Sequence, residues 1–358
     1  MNINLIDTWL PATSEPLIIA GPCGAESLEQ LINTAKNLKE TNKISLFRAG
    51  VWKPRTRPNS FEGKGEEALK WLSEIKKEFK FKITVEVANA QHTELALNYG
   101  IDVLWIGART TVNPFSVQEI ADVLKGTDTP VMVKNPIHAD LQLWIGAIER
   151  INNSGITKIA AIHRGFYTYG KTKYRNKPLW QIPIELRTLF PELPIICDPS
   201  HISGNRELIP SIAQKALDLG MDGLMIESHF SPDSALSDAE QQLTPHQLNS
   251  LVSKLIIRKQ NSSDNDVAIN LSELRNIIDE IDEELITVLK KRTQIINEIG
   301  AYKKKHQITI FQLERWQEIL RTRAQLAEKL GISRSHIEKI CQVLHEESIK
   351  IQNDIMNK

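Results

Sequence analysis

The stretch Leu17-Ile18-Ile19-Ala20-Gly21-Pro22-Cys23 begins the pattern that decides the fold. Its four consecutive apolar residues suit a strand that is buried on both faces, and the glycine and proline that follow end the strand. Similar short runs recur with helical patterns between them, at residues 45–48, 83–87, 103–106, 131–134, 159–163, 195–198 and 223–227. Eight strands that alternate with helices over ~250 residues predict an α/β fold, a parallel (β/α)₈ TIM barrel.

The composition changes after this region. Residues 259–266 contain no apolar side chain and are rich in turn-forming residues, so we predict a linker at 259–269. The sequence therefore predicts a barrel domain at 1–258 and a separate domain at 270–358.

Three helical patterns make up the predicted second domain, at residues 271–305, 312–330 and 333–356. Asn270 with Glu273 is expected to cap the first helix, and Gly331 is expected to end the second. The first helix would be ~50 Å long at about 1.5 Å per residue. Because a helix of that length rarely stands alone, we predict an all-α three-helix domain that forms an intertwined dimer.

The overall charge is balanced, with 44 Lys plus Arg and 44 Asp plus Glu. Such a chain offers no general attraction to nucleic acid or to an anionic membrane, so neither is an expected partner. The first residues lack the features of a signal peptide, and the three cysteines form no paired framework. These observations predict a protein of the reducing cytoplasm.

The ends of the predicted strands are rich in cations: Arg48, Lys53, Arg55, Arg109, Lys134 and Arg164. In a (β/α)₈ barrel the carboxyl ends of the strands carry the active site. Each cation alone could be a surface charge paired with an acid. Together at one rim they favour a substrate with several negative charges, such as phosphates and a carboxylate, which Arg side chains bind in bidentate fashion.

Four metal-ligand side chains also follow short hydrophobic segments: Cys23, His201, Glu227 and Asp238. Each has an ordinary structural alternative, namely a buried thiol, a core histidine, a paired carboxylate or a helix cap. As a set, they suggest a divalent-metal site of mixed S, N and O donors. Manganese is the favoured metal, with Fe²⁺, Co²⁺ or Zn²⁺ as alternatives.

The tail carries polar groups on apolar helix faces. Arg292 and Lys303 are eleven residues apart, so both lie on the apolar stripe of the first tail helix. Ser348 and Gln352 occupy the stripe of the last helix, one turn apart. These groups either pair with acids, mark the register of a dimer seam, or bind a ligand. Arg275 lies ~25 Å from Arg292 along the helix, too far to share a small ligand within one chain.

The barrel motifs resemble those of 3-deoxy-D-arabino-heptulosonate 7-phosphate (DAHP) synthase, in its compact β-type. The matching motifs are Gly21-Pro22-Cys23, Lys53-Pro54-Arg55-Thr56, Gly107-Ala108-Arg109, Val133-Lys134-Asn135-Pro136, His163-Arg164-Gly165, Asp198-Pro199-Ser200-His201, Ile226-Glu227 and Ala235-Leu236-Ser237-Asp238. Fewer than twenty residues precede the first strand, so we expect no N-terminal regulatory domain.

The resemblance implies roles for individual residues. Cys23, His201, Glu227 and Asp238 would bind the metal. Phosphoenolpyruvate would be bound by Arg48, Lys53, Glu86, Arg109, Lys134 and Arg164, and erythrose 4-phosphate by Lys53, Pro54, Arg55, Thr56 and Asp198. Lys53, Lys134 and His201 would be catalytic. A related 3-deoxy-octulosonate 8-phosphate synthase, which uses arabinose 5-phosphate, is the alternative, but its loop usually differs from Lys53-Pro54-Arg55-Thr56.

The tail resembles the all-helical chorismate mutase. The resemblance implies that chorismate or prephenate is bound by Arg275, Arg292, Lys303, Arg315, Ser348 and Gln352, with Arg275 coming from a partner chain. Arg292, Lys303 and Gln352 would be catalytic, and no cofactor is expected. Gln312 and Trp316 depart from the family pattern, where an Asp and a Glu are common.

A chain that joins these two activities suggests feedback. We expect prephenate or chorismate, bound in the tail, to lower the activity of the synthase. The alternative is a tail that serves mainly as a dimerising, ligand-sensing module. In either case the chain would be at least a homodimer.

Overall fold

The computed structural model describes residues 1–10, 16–53, 60–170, 172–258 and 265–357. The chain divides into two compact units, Met1–Gln260 and Asn261–Lys358. No helix in the described part of the chain is both long and apolar enough to cross a membrane.

The first unit is a closed barrel of eight parallel strands, which confirms the predicted fold. Each strand pairs with the next along the chain, and β1 closes the barrel against β8, with Ile19 opposite Met225. The strands are β1 Leu17–Gly21, β2 Leu46–Ala49, β3 Ile83–Val87, β4 Val103–Ile106, β5 Val131–Lys134, β6 Ile159–His163, β7 Ile195–Cys197 and β8 Gly223–Glu227.

Continuous apolar runs form these strands because both of their faces are buried. Along β1, Ile19 belongs to a cluster of strand side chains that includes Trp105 and Met132, while Ile18 packs with the surrounding helices. Trp9 joins the strand cluster from the N-terminal segment, next to a short 3₁₀ helix, Ile6–Thr8. Alternating residues therefore fill the barrel and its outer layer.

Helices surround the strands of the barrel, and two of the shortest carry site residues. The described helices are α1 Leu28–Thr41, α2 Glu66–Phe79, α3 Ala90–Asn98, α4 Ala108–Thr111, α5 Pro114–Leu124, α6 Leu141–Asn153, α7 Gln181–Leu189, α8 Pro199–Ser203, α9 Ile209–Asp218 and α10 Pro245–Lys254. Arg109 lies on α4 directly after β4, and His201 lies on α8 directly after β7. Asp198 caps α8 by accepting a hydrogen bond from the His201 amide at 3.1 Å.

Gly21 allows the first loop to approach β2 closely. Its φ is +148°, and a side-chain carbon there would lie 2.0 Å from the Arg48 carbonyl oxygen. The contact continues beyond the strand, since the Gly50 amide donates to the Cys23 carbonyl at 3.1 Å. Glycine is therefore required at the point that brings Cys23 to the end of the barrel.

The second unit contains three helices, α11 Asn265–Lys305, α12 Leu313–Lys329 and α13 Arg334–Met356. The predicted start of α11 is wrong by six residues, and Asn270 lies inside the helix rather than at its cap. No glycine or proline falls between residues 265 and 299 to interrupt the helix, so α11 extends into the predicted linker. Gly331 follows α12 with a φ of +76°, and the Ile332 amide donates to the Ala327 carbonyl, as expected for a glycine-terminated helix.

Two candidate active sites

The barrel has a cavity of about 300 Å³ at the carboxyl ends of its strands. Its described walls contain four cations, namely Arg109, Lys134, Arg164 and Arg175, together with Glu86 and His201. Three of these cations were predicted from the sequence, and Arg175 was not. Different strands and loops supply them, so the fold brings together charges that are far apart in the sequence.

Lys134 is fixed by a buried carboxylate. Its Nζ lies 2.8 Å from Asp198 Oδ2, and the same oxygen lies 2.8 Å from His201 Nδ1. Burial alone would raise the pKa of Asp198, but His201 and Lys134 hold that pKa well below its ordinary value. Asp198 therefore remains ionised and orients two site residues. It does not appear among the residues that line the described cavity.

Arg164 experiences both burial and repulsion from other cations. Burial lowers the pKa of Arg164 to about 10, with Asp198 opposing the change and Arg175 and Arg109 adding to it. The guanidinium stays protonated at neutral pH, and its Nη1 donates to Asn176 Oδ1 at 2.8 Å. Because the cations disfavour one another, an anion in the cavity would relieve their repulsion.

The remaining predicted cations are placed differently. Arg48 is buried, lies over the Trp105 ring at 5.1 Å and pairs with Glu227 at 3.2 Å. Lys53 Nζ donates to Cys23 Sγ at 2.8 Å. Both therefore lie beside the metal-ligand side chains, although neither lines the described cavity. Pro54, Arg55 and Thr56 lie outside the described residues.

Three of the predicted metal ligands form one group. Ligand atoms of Cys23, Glu227 and Asp238 lie within 4.8 Å of one another. The Cys23 thiol donates to Asp238 Oδ2 at 3.1 Å. Burial, followed by the charge of Glu227, raises the pKa of Cys23 to about 12. A thiolate at this position would therefore need a bound cation to stabilise it.

His201 adjoins this group through Glu227. Its Nε2 lies 3.8 Å from Glu227 Oε1, and burial lowers the pKa of the imidazole. Because Nδ1 faces Asp198, the proton of the neutral ring belongs on Nδ1, which leaves Nε2 as an electron-pair donor. Glu227 Oε1 is buried and has no hydrogen bond among the described residues, and its ion pair with Arg48 Nη2 is 3.2 Å long. The donor atoms thus suit a divalent metal ion.

The helical unit has a separate cavity of about 500 Å³. Five of the six predicted chorismate-site residues line it: Arg292, Lys303, Arg315, Ser348 and Gln352. Apolar side chains also line it, among them Ile296, Ile299 and Leu344. Arg275 is exposed on α11 and is not among the described lining residues.

Hydrogen bonds hold two cations of this cavity in place. Arg292 Nη1 donates to Ser348 Oγ at 2.9 Å, and Lys303 Nζ donates to the Ile310 carbonyl at 2.6 Å. Burial lowers the pKa of Lys303. Gln352 Oε1 is buried with no hydrogen-bond partner among the described residues. The cavity therefore offers charges for a small anion and a polar group that a ligand can satisfy.

Sequence reasoning missed His345, Arg323 and Arg175. His345 stacks on Trp316 with ring centroids 4.1 Å apart, and Arg323 lines the same cavity. His345 lies three residues before Ser348 and seven before Gln352, a helical spacing that places it on their face of α13. Nothing local in the sequence distinguishes Arg175 from a surface arginine.

The fold and the two cavities define a two-unit enzyme, with a cation-lined cavity beside a metal-ligand group in the barrel and a second cavity with cations in the helical unit. The chain belongs to the DAHP synthetase I family, whose family model matches residues 12–262. The model of chorismate mutase type II matches residues 274–353. The chain is therefore both a transferase, DAHP synthase, and an isomerase, chorismate mutase.

Relatives that match the barrel carry two enzyme names. The chain is 33% identical over 238 residues to the phospho-2-dehydro-3-deoxyheptonate aldolase of Thermotoga maritima, covering 66% of this chain and 68% of the relative. A crystal structure of DAHP synthase from the same organism superposes with a TM-score of 0.63 at 30% identity, over 71% of this chain and 72% of that one. The 2-dehydro-3-deoxyphosphooctonate aldolase of Helicobacter pylori is 30% identical over 273 residues, 68% of this chain and 95% of the relative.

Proposed function

We propose that the barrel condenses phosphoenolpyruvate with erythrose 4-phosphate in a metal-dependent reaction. The observation that carries this proposal is the placement of four cavity cations beside the donor group of Cys23, Glu227 and Asp238. Two phosphates and a carboxylate match the cations. When bound, a divalent ion supplies Lewis-acid polarisation of the aldehyde oxygen.

Arg109, Lys134 and Arg164 bind the phosphate and carboxylate of phosphoenolpyruvate. Asp198 keeps Lys134 in a fixed position at 2.8 Å, so little of its side-chain freedom is lost on binding. Lys53 and residues 54–56 bind the phosphate of erythrose 4-phosphate. The enol carbon then attacks the aldehyde, water adds at C2, and inorganic phosphate leaves.

Cys23, His201, Glu227 and Asp238 hold the ion in this proposal, with manganese favoured. Removing metal with a chelator should abolish synthase turnover and leave mutase turnover unchanged. Adding Mn²⁺ should restore the synthase, and Fe²⁺, Co²⁺ and Zn²⁺ should be compared in the same assay. Full synthase turnover in metal-free protein would refute metal dependence.

The choice of sugar phosphate needs its own test, since relatives of both names match the barrel. The motif Lys53-Pro54-Arg55-Thr56 favours erythrose 4-phosphate. Initial rates with erythrose 4-phosphate and arabinose 5-phosphate at equal concentrations decide the matter. Turnover of arabinose 5-phosphate alone would assign the barrel to octulosonate 8-phosphate synthesis instead.

The helical unit rearranges chorismate to prephenate by electrostatic stabilisation. Arg292 and a partner chain's Arg275 bind the two carboxylates, with Arg315 nearby. Lys303 and Gln352 hydrogen-bond the ether oxygen as its C–O bond breaks. Lys303 Nζ is tied to the Ile310 carbonyl. Gln352 Nε2 gives one hydrogen to the Ser348 carbonyl at 3.2 Å, which leaves its second N–H to donate to the ether oxygen, so both donors are held in place before the ligand binds.

A second chain is needed to complete this site. Along the first half of α11, Leu274, Ile278, Ile281 and Leu285 are 46–61% exposed, although they form one apolar stripe. The packing of α11 on α13 lies further along, at Arg292 and Gly300. We therefore propose a homodimer formed through the stripe, which also brings Arg275 of one chain to the pocket of the other.

Complementation tests this arrangement. Arg275→Ala and Arg292→Ala should each inactivate the mutase as a pure homodimer. After subunits are unfolded together and refolded as an equal mixture, half of the dimers carry both variants, and each such dimer has one intact site. About a quarter of the wild-type turnover should return, as the symmetry of a dimer requires. No recovery in a mixture that forms dimers would show that one chain builds the whole site.

We also propose feedback from the mutase pocket to the synthase. Prephenate or chorismate bound in the helical unit lowers synthase activity, which requires different affinities for the ligand in two states of the protein. In the full-length chain, Arg292→Ala should remove inhibition by prephenate while synthase turnover without prephenate is retained. Unchanged inhibition in this variant would contradict the proposal.

A sensing role for the helical unit is compatible with the departures at Gln312 and Trp316, which both line its cavity. Tight binding of a transition-state mimic with very low chorismate turnover would favour sensing over catalysis. We place the protein in the cytoplasm, since its buried cysteines are unpaired and its pathway is biosynthetic.

A further inference from the structure

Two consecutive glutamines, Gln241 and Gln242, lie buried beside the metal-ligand group. They follow Asp238 in the loop between β8 and α10. A buried amide must satisfy both its NH₂ group and its carbonyl oxygen, so its partners reveal what it holds in place.

Gln241 links Glu227 to Arg175. Its Nε2 donates to Glu227 Oε2 at 2.6 Å, and its Oε1 accepts from Arg175 Nη1 at 2.6 Å. A carboxylate only accepts and a guanidinium only donates, so only one orientation of the amide satisfies both partners. Oε2 of Glu227 is thereby occupied. Oε1 makes no hydrogen bond among the described residues and lies 3.2 Å from Arg48 Nη2 and 3.8 Å from His201 Nε2.

Arg175 likewise occupies one of the two carboxylate oxygens of Asp238. The Nη1 that bonds Gln241 also lies 3.0 Å from Asp238 Oδ1. The other carboxylate oxygen, Oδ2, accepts from the Cys23 thiol at 3.1 Å. Each carboxylate thus has an outer oxygen held by Gln241 or Arg175 and an inner oxygen that faces a neighbouring ligand residue.

Gln242 fixes the backbone on either side of the same group. Its Oε1 accepts from the Cys23 amide at 2.9 Å, and its Nε2 donates to the Ser237 carbonyl at 2.9 Å. Cys23 and Ser237 belong to loops more than two hundred residues apart in sequence. The side chain therefore joins the loop of Cys23 to the residue that precedes Asp238.

We propose that Gln241, Gln242 and Arg175 are positioning residues that select Glu227 Oε1 and Asp238 Oδ2 as metal ligands and hold both near Cys23 Sγ. This inference rests on the proposed metal dependence of the barrel. Hydrogen bonds to the outer atoms of metal ligands orient them, and their loss typically weakens metal binding about 10–100-fold. We expect a loss of that size when Gln241 is changed.

Metal affinity of the full-length protein tests the proposal directly. Gln241→Met keeps the length and bulk of the side chain and removes both hydrogen bonds. The matched control is Gln118→Met, because Gln118 also joins a carboxylate and an arginine, Asp122 and Arg150, on the barrel surface. Co²⁺ binding is followed by its thiolate charge-transfer absorption and by competition with a chelator.

We expect Gln241→Met to bind Co²⁺ about 10–100-fold more weakly than wild type, and Gln118→Met to bind as wild type does. Thermal unfolding followed by tryptophan fluorescence, together with the circular dichroism spectrum, checks that the barrel of the variant is folded. If Gln241→Met fails to fold, Arg175→Met serves instead, since Arg175 is partly exposed, and it should also weaken binding.

The outcomes separate the two proposals. If the wild-type protein binds no Co²⁺, the proposed metal site is refuted, and with it the metal dependence of the barrel. A wild type that binds Co²⁺ while a folded Gln241→Met or Arg175→Met variant binds equally tightly, with the same absorption, would overturn the positioning role and leave metal dependence intact.

Discussion

Gly107 offers a precise test of how the barrel site is packed. A methyl group at Gly107 would lie 2.0 Å from Glu86 Oε1 and 2.7 Å from its Cδ. Glu86 Oε2 accepts a hydrogen bond from Trp105 Nε1 at 3.0 Å, and Trp105 is the buried ring beneath Arg48 and Lys134. In Gly107→Ala, Glu86 must therefore turn away and lose Trp105 as its partner.

The cost follows from that hydrogen bond. The Glu86 side chain borders the cavity, so it can move without disturbing the backbone. What is lost is one charged hydrogen bond to a buried indole, which stabilises a protein by about 1.5–3 kcal/mol. For a unit of this size, we expect the melting temperature of the barrel to fall by about 3–12 °C.

Thermal unfolding followed by tryptophan fluorescence reports on the barrel, because only Trp316 lies outside it. Gly146→Ala is the matched control: Gly146 lies inside α6 with no atom within 4 Å of the added methyl group. That change should stabilise the barrel by about 0.5–1 kcal/mol. If Gly107→Ala melts at or above the wild-type temperature, the proposed displacement of Glu86 does not occur.

The remaining predictions concern one residue each. Cys23→Ala should abolish synthase turnover and leave mutase turnover largely intact in paired assays; loss of both in a folded protein would show tight coupling of the two activities. Burial, followed by Arg164, lowers the pKa of His163 to about 3 from an ordinary 6.5, so the unfolded chain takes up a proton that the folded barrel excludes. Stability should therefore fall as pH drops below 6.5, by up to about 1.4 kcal/mol per pH unit, and urea unfolding of His163→Phe should show a smaller fall; an equal fall would exclude His163 as the cause. Leu285→Asp, on the exposed stripe, should give monomers in sedimentation experiments and abolish mutase but not synthase turnover; dimers that persist with full mutase activity would place the interface elsewhere.

The barrel was predictable because a strand that is buried on both faces is a continuous run of apolar residues in the sequence. At β3, β4, β5, β6 and β8 the predicted and observed bounds coincide. The start of α11 was predicted incorrectly, since polar residues form a linker and a solvated helix with similar ease. Hydrophobic periodicity specifies buried faces and gives little information about exposed helix ends.

The site was predictable where the chemistry is unusual at a strand end. Cys23 and Lys134 stood out because a thiol or an amine directly after an apolar run is seldom needed for packing. Gln241 and Arg175 carried no such signal, because glutamine and arginine are common on any surface. Their importance comes from the atoms they meet, which lie on other loops.

The sequence by itself determined the alternation of strands and helices, the donor types available to a metal ion and the presence of a second, helical unit. These properties depend on local burial patterns and on residue identity. Only the tertiary structure decided that Asp198 orients Lys134 and His201, that Gln241 holds the outer oxygen of Glu227, and that Arg175 joins the cavity cations. Such contacts depend on distances of a few ångströms between distant parts of the chain, which spacing in sequence does not specify.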